Sequence, residues 1–357
     1  VKRGKNFIKK TAWLATLLNA FFLALSYLCL VVDPATWSFP QFLGLVFPIL
    51  FTLNLIAFIF WLAILNIRFM VPFLITIFSF YHVSKYLQFT AERKASKEKT
   101  QLKVASLNTK LFGHWEGREF IDTALFTIRE LDFDIICMQE AYILGQNKDS
   151  LLSNVLINTQ FNDFDYHRLT KDKPYGLILF TKYKILNAQE VKLPNTRANM
   201  VMAYDLLVKQ DTIRVYNAHL QSIRFSKDDY NFMNGKETNS TFIKSSNIYN
   251  QMSMAYKNRV EQARVVKEHM NESPFPVILL GDFNDVPMGY TYQLLLGETR
   301  RDAFREAGNG LESTYIGPLP NFRIDYIFHD KSFYTLQYNS SSDIPSDHKL
   351  ISAELEY

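Results

Sequence analysis

Along the first part of the chain, hydrophobic positions do not alternate with polar ones but run on without a break. No charged side chain occurs in residues 11–32, 41–66 or 69–84. Each of the first two stretches is long enough to cross the roughly 30 Å of bilayer hydrocarbon as a helix. The third reaches that length if Lys85 snorkels and the span continues to Phe89. The expectation is about three transmembrane helices, at about 11–32, 41–66 and 69–89, within an N-terminal region 1–89. A re-entrant or interfacial third segment is the alternative. A cleaved signal peptide fits the first stretch poorly, because its apolar part is long and two more follow.

Beyond residue 101 the pattern changes. Short apolar or β-branched runs alternate with stretches of helical period: LKVASLNT, DIICMQEAY, YGLILFTK, MVMAYDLLV, TIRVYNAHL, PVILLGDFN, RIDYIFHD and KLISAELEY predict strands. Helices are expected at 117–131, 146–158, 256–271 and 289–297. Several strands are apolar almost throughout, as central strands covered on both faces are. Residues 102–357 therefore predict an α/β domain, joined to the N-terminal region by a charged linker, TAERKASKEKTQ, at 90–101. One stretch, 223–255, is rich in Asn, Ser, Lys, Tyr and Met without a clear period. A connection of that length is a solvated insertion or a functional loop. Its Phe225, Tyr230, Phe232, Met233, Tyr249 and Met252 suit a substrate lid or a membrane-facing loop.

Charge sharpens this division. Of 39 Lys and Arg, 11 lie in residues 1–99, and of 35 Asp and Glu, 3 do; residues 100–357 keep 28 basic and 32 acidic side chains, a net of −4. The overall basicity belongs to the membrane flanks, and a mildly acidic soluble part argues against tight binding of a phosphate polyanion such as nucleic acid. Lys2, Arg3, Lys5, Lys9 and Lys10 precede the first span, whereas the loop 33–40 has no Lys or Arg. This predicts a cytoplasmic N-terminus and, after three spans, a catalytic domain on the extracytoplasmic or periplasmic side of an inner or plasma membrane. Arg93, Lys94, Lys97 and Lys99 argue the other way. Cys29 lies in a span and Cys137 in an apolar run, so no disulfide framework is expected.

The predicted strands end alike. Asn108 closes VASLN, Glu140 closes DIICMQE, His219 closes VYNAH, and Asp282 with Asn284 closes ILLGDFN. Asp325 sits within FRIDYIF, and Ser346–Asp347–His348 precedes the final strand. Taken singly, Asn108 suits a turn, Glu140 a solvated strand end, and His219 a structural hydrogen bond. Asp285 suits a turn ahead of Pro287. As a set, polar residues at strand ends are where open α/β sheets bind ligands. Asp325, a carboxylate between apolar neighbours, needs a partner, and orienting a histidine is one use. Glu140, Asn108, Asp282 and Asn284 all offer oxygen, which favours Mg²⁺ or Mn²⁺ over zinc held by soft ligands. There is no Ser or Cys nucleophile motif and no glycine-rich phosphate loop. The set therefore suits water attacking a phosphorus centre held on a metal.

SLN, QE, NAHL, GDFN, RIDYIF and SDH, in this order, resemble the endonuclease/exonuclease/phosphatase superfamily over roughly residues 102–357. The resemblance implies a four-layer α/β sandwich, two central mixed β-sheets flanked by helices, hydrolysing phosphoester bonds with Mg²⁺. It also implies roles. Glu140 is the principal metal ligand, Asn108 helps to position metal or phosphate, and Asp347 assists a metal. Asp282 orients or deprotonates the attacking water, Asn284 binds phosphate, and His219 stabilises the charged transition state. His348, paired with Asp325, is general base or phosphate ligand, so the base stays open between Asp282 and His348. Lys110 stands where abasic-site endonucleases carry an acidic residue, and YGLILFTKYKI resembles an architectural strand pair of the superfamily. Arg197 and Asn199 are candidates for substrate contact. The leading expectation is a membrane-anchored, Mg²⁺-dependent hydrolase of a lipid headgroup or another phosphoester. An anchored DNase I-like nuclease and a catalytically silent phospho-ligand-binding membrane protein are the alternatives.

Overall fold

The computed structural model of the protein describes residues 2–90, 93, 95–96, 99–117, 121–143, 155–156, 159–170, 173–196, 198–223, 225–233 and 241–357. The N-terminal region forms α1 (Lys2–Ser26), α2 (Phe39–Leu45), α3 (Phe47–Ala63) and α4 (Met70–Val83). It does not form three spans. Among the described residues one helix, Asn6–Leu30 with its 3-10 end, is long and apolar enough to cross a membrane. The second expected span is broken: α2 and α3 meet at 59°, with Pro48 in the first turn of α3, where the missing N–H costs the helix nothing. The third stops at Val83. Lys85 does not snorkel; it is 1% exposed, its Nζ 3.4 Å from the Pro287 carbonyl and 5.4 Å from the Tyr292 ring centre. Burial, reinforced by the Arg305 charge, brings its ammonium down to about 7. Residues Leu87–Phe89 are not helix but a short strand, β1, paired antiparallel with Asn309–Leu311.

The rest is a mixed α/β domain. Its remaining strands are β2 (Gln101–Asn108), β3 (Ile135–Tyr142), β4 (Asp163–Thr170), β5 (Lys173–Thr181), β6 (Lys184–Val191), β7 (Met200–Val208), β8 (Asp211–His219), β9 (Val277–Asp282), β10 (Arg300–Asp302), β11 (Asn309–Leu311), β12 (Asp325–Asp330), β13 (Tyr334–Ser341) and β14 (Leu350–Glu356). One sheet has the order β13-β14-β2-β3-β5-β4 and the other β10-β12-β9-β8-β7-β6. Within each, one pair is parallel, β2 with β3 and β8 with β9. The sheets pack face to face over a core that includes Leu102, Val104, Ile135 and Cys137 from one and Val215, Ile278, Leu280 and Ile327 from the other.

Helices cover both outer faces. α5 (Ile121–Glu130) packs through Ala124 and Ile128 on Ala105, Leu107, Ile136 and Met138. α7 (Thr241–Asn271) and α8 (Tyr290–Leu296) cover Tyr216, Ala218, Leu279 and Phe328 with Ala263, Val266, Tyr292 and Leu295. Each strand thus gives alternate residues to the inner and outer cores, the two-residue period of the pleat. The stretch expected to be a loop, 223–255, instead contributes α6 (Lys227–Met233) and the start of α7. Met252, Tyr256 and Arg259 share one face of α7 and turn toward the domain, which the mixed composition of the stretch conceals. The helix expected at 146–158 lies almost wholly outside the described residues.

A buried ion pair joins the N-terminal region to the domain. Arg323, just before β12, donates through Nη1 to the Lys85 carbonyl at 2.9 Å and through Nη2 to Asp302 at 2.5 Å. Neither charged side chain of this pair has any exposed surface. Asp302 also caps α9 (Ala303–Ala307) through the Phe304 N–H and accepts from the Tyr292 hydroxyl. Removing one partner strands the other charge without water. Asp302→Ala is expected to destabilise the folded protein by about 3–5 kcal/mol, read as a fall in the denaturation midpoint of the full chain; an unchanged midpoint would contradict this account.

Candidate active site

The inner positions that are apolar at one end of the sheets become polar at the other. Counting in twos, β2 passes from Leu102 and Val104 to Ser106 and Asn108, β3 from Ile135 and Cys137 to Gln139, and β8 from Val215 to Asn217 and His219. β9 passes from Ile278 and Leu280 to Asp282, and β12 begins at Asp325, which lies opposite Asp282 in register. All of these polar residues are buried.

Beneath the site lies a hydrogen-bonded layer that sequence reasoning missed. Gln139 Nε2 donates to Asn217 Oδ1 at 2.8 Å, and Asn217 Nδ2 donates to the Met138 and Ile178 carbonyls at 3.1 and 2.9 Å. These bonds tie the two sheets together where a lone buried amide would cost about 1–3 kcal/mol. Their only sequence signal was their place beside Glu140 and His219.

Above that layer the predicted residues converge. Asp282 is 1% exposed and accepts from Asn108 Nδ2 at 3.0 Å and from the Asn284 N–H at 2.8 Å. His219 Nε2 lies 3.4 Å from Glu140 Oε1 and 3.9 Å from Asp282 Oδ2. His348 Nδ1 lies 2.9 Å from Asp325 Oδ2, leaving its Nε2 3.9 Å from Asp282 Oδ2. Two histidines therefore approach one carboxylate from two sides.

Asp325 is held in turn: its N–H donates to Thr314 Oγ1 at 3.0 Å. Ser346 Oγ donates to the Asn108 carbonyl at 2.7 Å, fastening the SDH turn to the end of β2. Tyr315, which forms a β-bridge with His348, sets its ring edge-on to the imidazole at 5.4 Å.

Two site residues have strained backbones. Glu140 has φ +50° and Asn284 φ +54°, a region that side chains other than glycine seldom occupy. At Glu140 the register between β3 and β5 shifts between Met138 and Ala141, a bulge that re-aims the carboxylate. Gly281, at φ +142°, has a second reason to be glycine. A Cβ there would fall 1.9 Å from the Ala218 carbonyl oxygen, so the parallel neighbour β8 approaches closely only because no side chain intervenes.

A cavity of about 470 Å³ opens over these groups, lined by Asn108, Glu140, Asp282, Asn284, Asp347 and His348 among others. His219 and Asp325 are not in its lining; they stand behind Glu140, Asp282 and His348. Asp347 sits at the edge, 3.3 Å from Lys110 Nζ. Asn199 is 1% exposed and donates to the Leu220 carbonyl at 2.7 Å, so it braces strand ends rather than facing the cavity. Arg197 lies outside the described residues. Asp285 lies in the bend ahead of Pro287, as expected, but it also has a buried role. It is buried, accepts from the Val286 and Thr291 N–H groups, and stands 3.5 Å from Arg259 Nη1. Nothing in the sequence pointed to Arg259.

The carboxylate and amide oxygens of Glu140, Asn108, Asp282 and Asp347 share this cavity without a thiolate, a donor set that fits a hard divalent cation. Asp282, Asp325 and His348 also bring one ligand atom each within 4.8 Å of one another, though the bond from His348 to Asp325 already engages two of them.

The electrostatics are those of a buried cluster of opposite charges. Burial, and next the Asp325 carboxylate, raise Asp282 to about 6, against the pull of His348 and His219. Burial alone would lower His348, but the Asp325 and Asp282 carboxylates overcome it and raise the imidazole to about 10.

Residues 127–348, more than half of the chain, match the endonuclease/exonuclease/phosphatase family. The chain belongs to that family. Residues 9–86 match a separate domain of unknown function, DUF8431. No curated protein matches the chain. Solved structures share the fold. An endonuclease/exonuclease/phosphatase family protein from Bacteroides thetaiotaomicron is 20% identical over 72% of this chain and 98% of its own, with TM-score 0.52. The mannosyl-6-phosphatase of the same organism is 20% identical over 72% of this chain and 100% of its own, with TM-score 0.51. ANGEL2, a 2′,3′-cyclic phosphatase, is 15% identical over 75% of this chain and 99% of its own, with TM-score 0.52.

His348 is held at about 10 against an ordinary 6.5, so the folded protein keeps a proton that the unfolded chain releases. Its contribution to stability is complete below pH 6.5 and is lost as pH rises toward 10. The melting temperature of the wild type should therefore fall more steeply across that window than that of His348→Gln. Parallel profiles would show that the histidine is not held protonated.

Proposed function

We propose that the protein is a membrane-anchored, Mg²⁺-dependent hydrolase of phosphoester bonds. The supporting observation is Asp282, buried at the cavity floor with the Nε2 atoms of His219 and His348 each 3.9 Å from its Oδ2. Glu140, Asn108 and Asp347 would hold the cation, which supplies charge neutralisation on the phosphoryl oxygens. Water attacks phosphorus, a new P–O bond forms, and the bond to the leaving oxygen breaks.

Asp282 takes the proton of that water, since a carboxyl held at about 6 is largely ionised at neutral pH. His348, protonated against Asp325, faces the developing negative charge and is placed to return a proton to the leaving oxygen. Asn284 Nδ2 gives one hydrogen to the Leu220 carbonyl at 3.1 Å and keeps the other for the phosphate. His219 orients Glu140 and Asp282 from behind. The known activities of two structural relatives, a mannosyl-6-phosphatase and a 2′,3′-cyclic phosphatase, fall within this reaction class.

We read the apolar helix Asn6–Leu30 as the anchor, and the Lys and Arg residues ahead of it favour an extracytoplasmic domain. A lipid headgroup is then a favoured substrate, because tethering raises its effective concentration at the site.

The test is a panel of phospholipids, inositol phosphates, sugar phosphates and DNA, with and without Mg²⁺. At least one phosphoester should turn over only with the metal. Asp282→Asn and His348→Ala should each lower that rate by at least about 10²-fold. A near-normal rate in either variant removes that residue from the chemistry, and cleavage of DNA alone would make the protein a nuclease.

A further inference from the structure

The cavity has two ends of opposite character. Its inner end carries the carboxylates and His348 described above. Its outer wall is built from segments far apart in sequence: the bend between α2 and α3, residues of helices α6 and α7, and the loop 315–324. Those segments present Val46, Ile49, Met233, Met252, Leu319 and Phe322. The charged pair on this wall, Arg259 and Asp285, neutralises itself.

The bend is not resting loosely there. Cys29 Sγ donates to the Met288 carbonyl at 2.8 Å, and the Tyr290 N–H donates to Gln41 Oε1 at 3.1 Å. The Phe42 ring stacks on Tyr249 with centroids 4.9 Å apart. Ser38 and Ser253 are hydrogen-bonded at 2.9 Å, and Arg264 pairs with Asp33. The N-terminal region is thus fastened to the segment that follows the GDFN strand end and to α7, and it forms part of the cavity wall.

From Ile49 the apolar surface continues outward. Ile49, Leu53, Ile56 and Ile59 are 62%, 48%, 57% and 57% exposed and follow one another up α3 at helical spacing. A water-soluble sugar phosphate or nucleotide would leave this cavity wall in contact with water, at the usual cost for apolar area.

We infer that the wall formed by the α2–α3 bend, Met233 and Met252 is a binding site for the hydrocarbon chain of an amphiphilic phosphoester. The chain enters along α3 and the phosphate rests at Asp282 and His348. This rests on the hydrolase reading and adds its substrate class. The strip on α3 joins the catalytic cavity to whatever apolar phase surrounds the helices, so the substrate need not leave that phase for its phosphate to reach the carboxylates. It also gives the N-terminal region a role beyond anchoring, as the specificity wall of the site.

The experiment uses the full chain in a sugar-headed detergent with Mg²⁺, and two p-nitrophenyl phosphodiesters that share a leaving group, one carrying an ethyl and one a dodecyl ester. The dodecyl ester should have a kcat/KM at least about 30-fold higher, a small part of what its added methylenes would give if fully buried. Ile49→Glu, at an exposed position that the fold does not need, should cut the dodecyl-to-ethyl ratio at least about 10-fold, and Met252→Glu should do the same. Equal rates for the two esters in wild type, or an unchanged ratio in Ile49→Glu, would overturn the chain site while leaving the hydrolase intact. Failure to hydrolyse either ester would overturn the chain site, while the hydrolase reading stands or falls on the substrate panel above.

Discussion

Two sheets packed face to face leave the inward side chains of β2, β3, β8, β9 and β12 with nothing to meet but one another. Where those side chains are apolar they close the central core. Where they are polar and buried, each must find its partner across the gap, because an unpaired buried group is expensive. Asn108 reaches Asp282 across the sheets, Gln139 reaches Asn217, and His219 stands between Glu140 and Asp282. The site is therefore the polar continuation of the hydrophobic core, positioned by the same pleat that positions Leu102 and Ile278.

That origin accounts for its electrostatics. Asp282 and Asp325 face each other in register at the ends of antiparallel strands, so neither can move away from the other's charge. His348 is brought between them by the turn before the last strand, and its proton is what makes the arrangement tolerable. The buried Arg323–Asp302 pair repeats the logic at the start of β12, and through the Lys85 carbonyl it reaches the N-terminal helices. Charges are buried here in matched groups, each held by further hydrogen bonds, as a low-dielectric interior requires.

The N-terminal region illustrates how far composition reaches. Uncharged stretches of suitable length suggest helices crossing a bilayer, and among the described residues one helix is long and apolar enough to do so. The break at 59° between α2 and α3 and the end of α4 at Val83 follow from where those segments dock. Lys85 had only its own neighbours to argue from in sequence and looked like a snorkelling residue. Its actual partner, the Pro287 carbonyl, lies 202 positions away. The segment 223–255 misled for a related reason: its Met and Tyr residues serve a helix face whose other side is in water, so no clean apolar period shows.

The strand ends bearing Asn108, Glu140, His219, Asp282 and Asn284 were legible from residue order alone, since strand alternation and the turn residues that end a strand are local properties. So was the division between an apolar N-terminal region and an α/β domain, because hydrophobic patterning needs no knowledge of contacts. Which carboxylate meets which histidine, the layer formed by Gln139 and Asn217, the burial of Asp285 against Arg259, and the bend that lays Val46 over the cavity were decided only by the tertiary structure. Each is a contact between segments distant in sequence. Such contacts exist only once sheets, helices and loops have packed, and packing sets the burial that makes a side chain a partner, a strut or a wall.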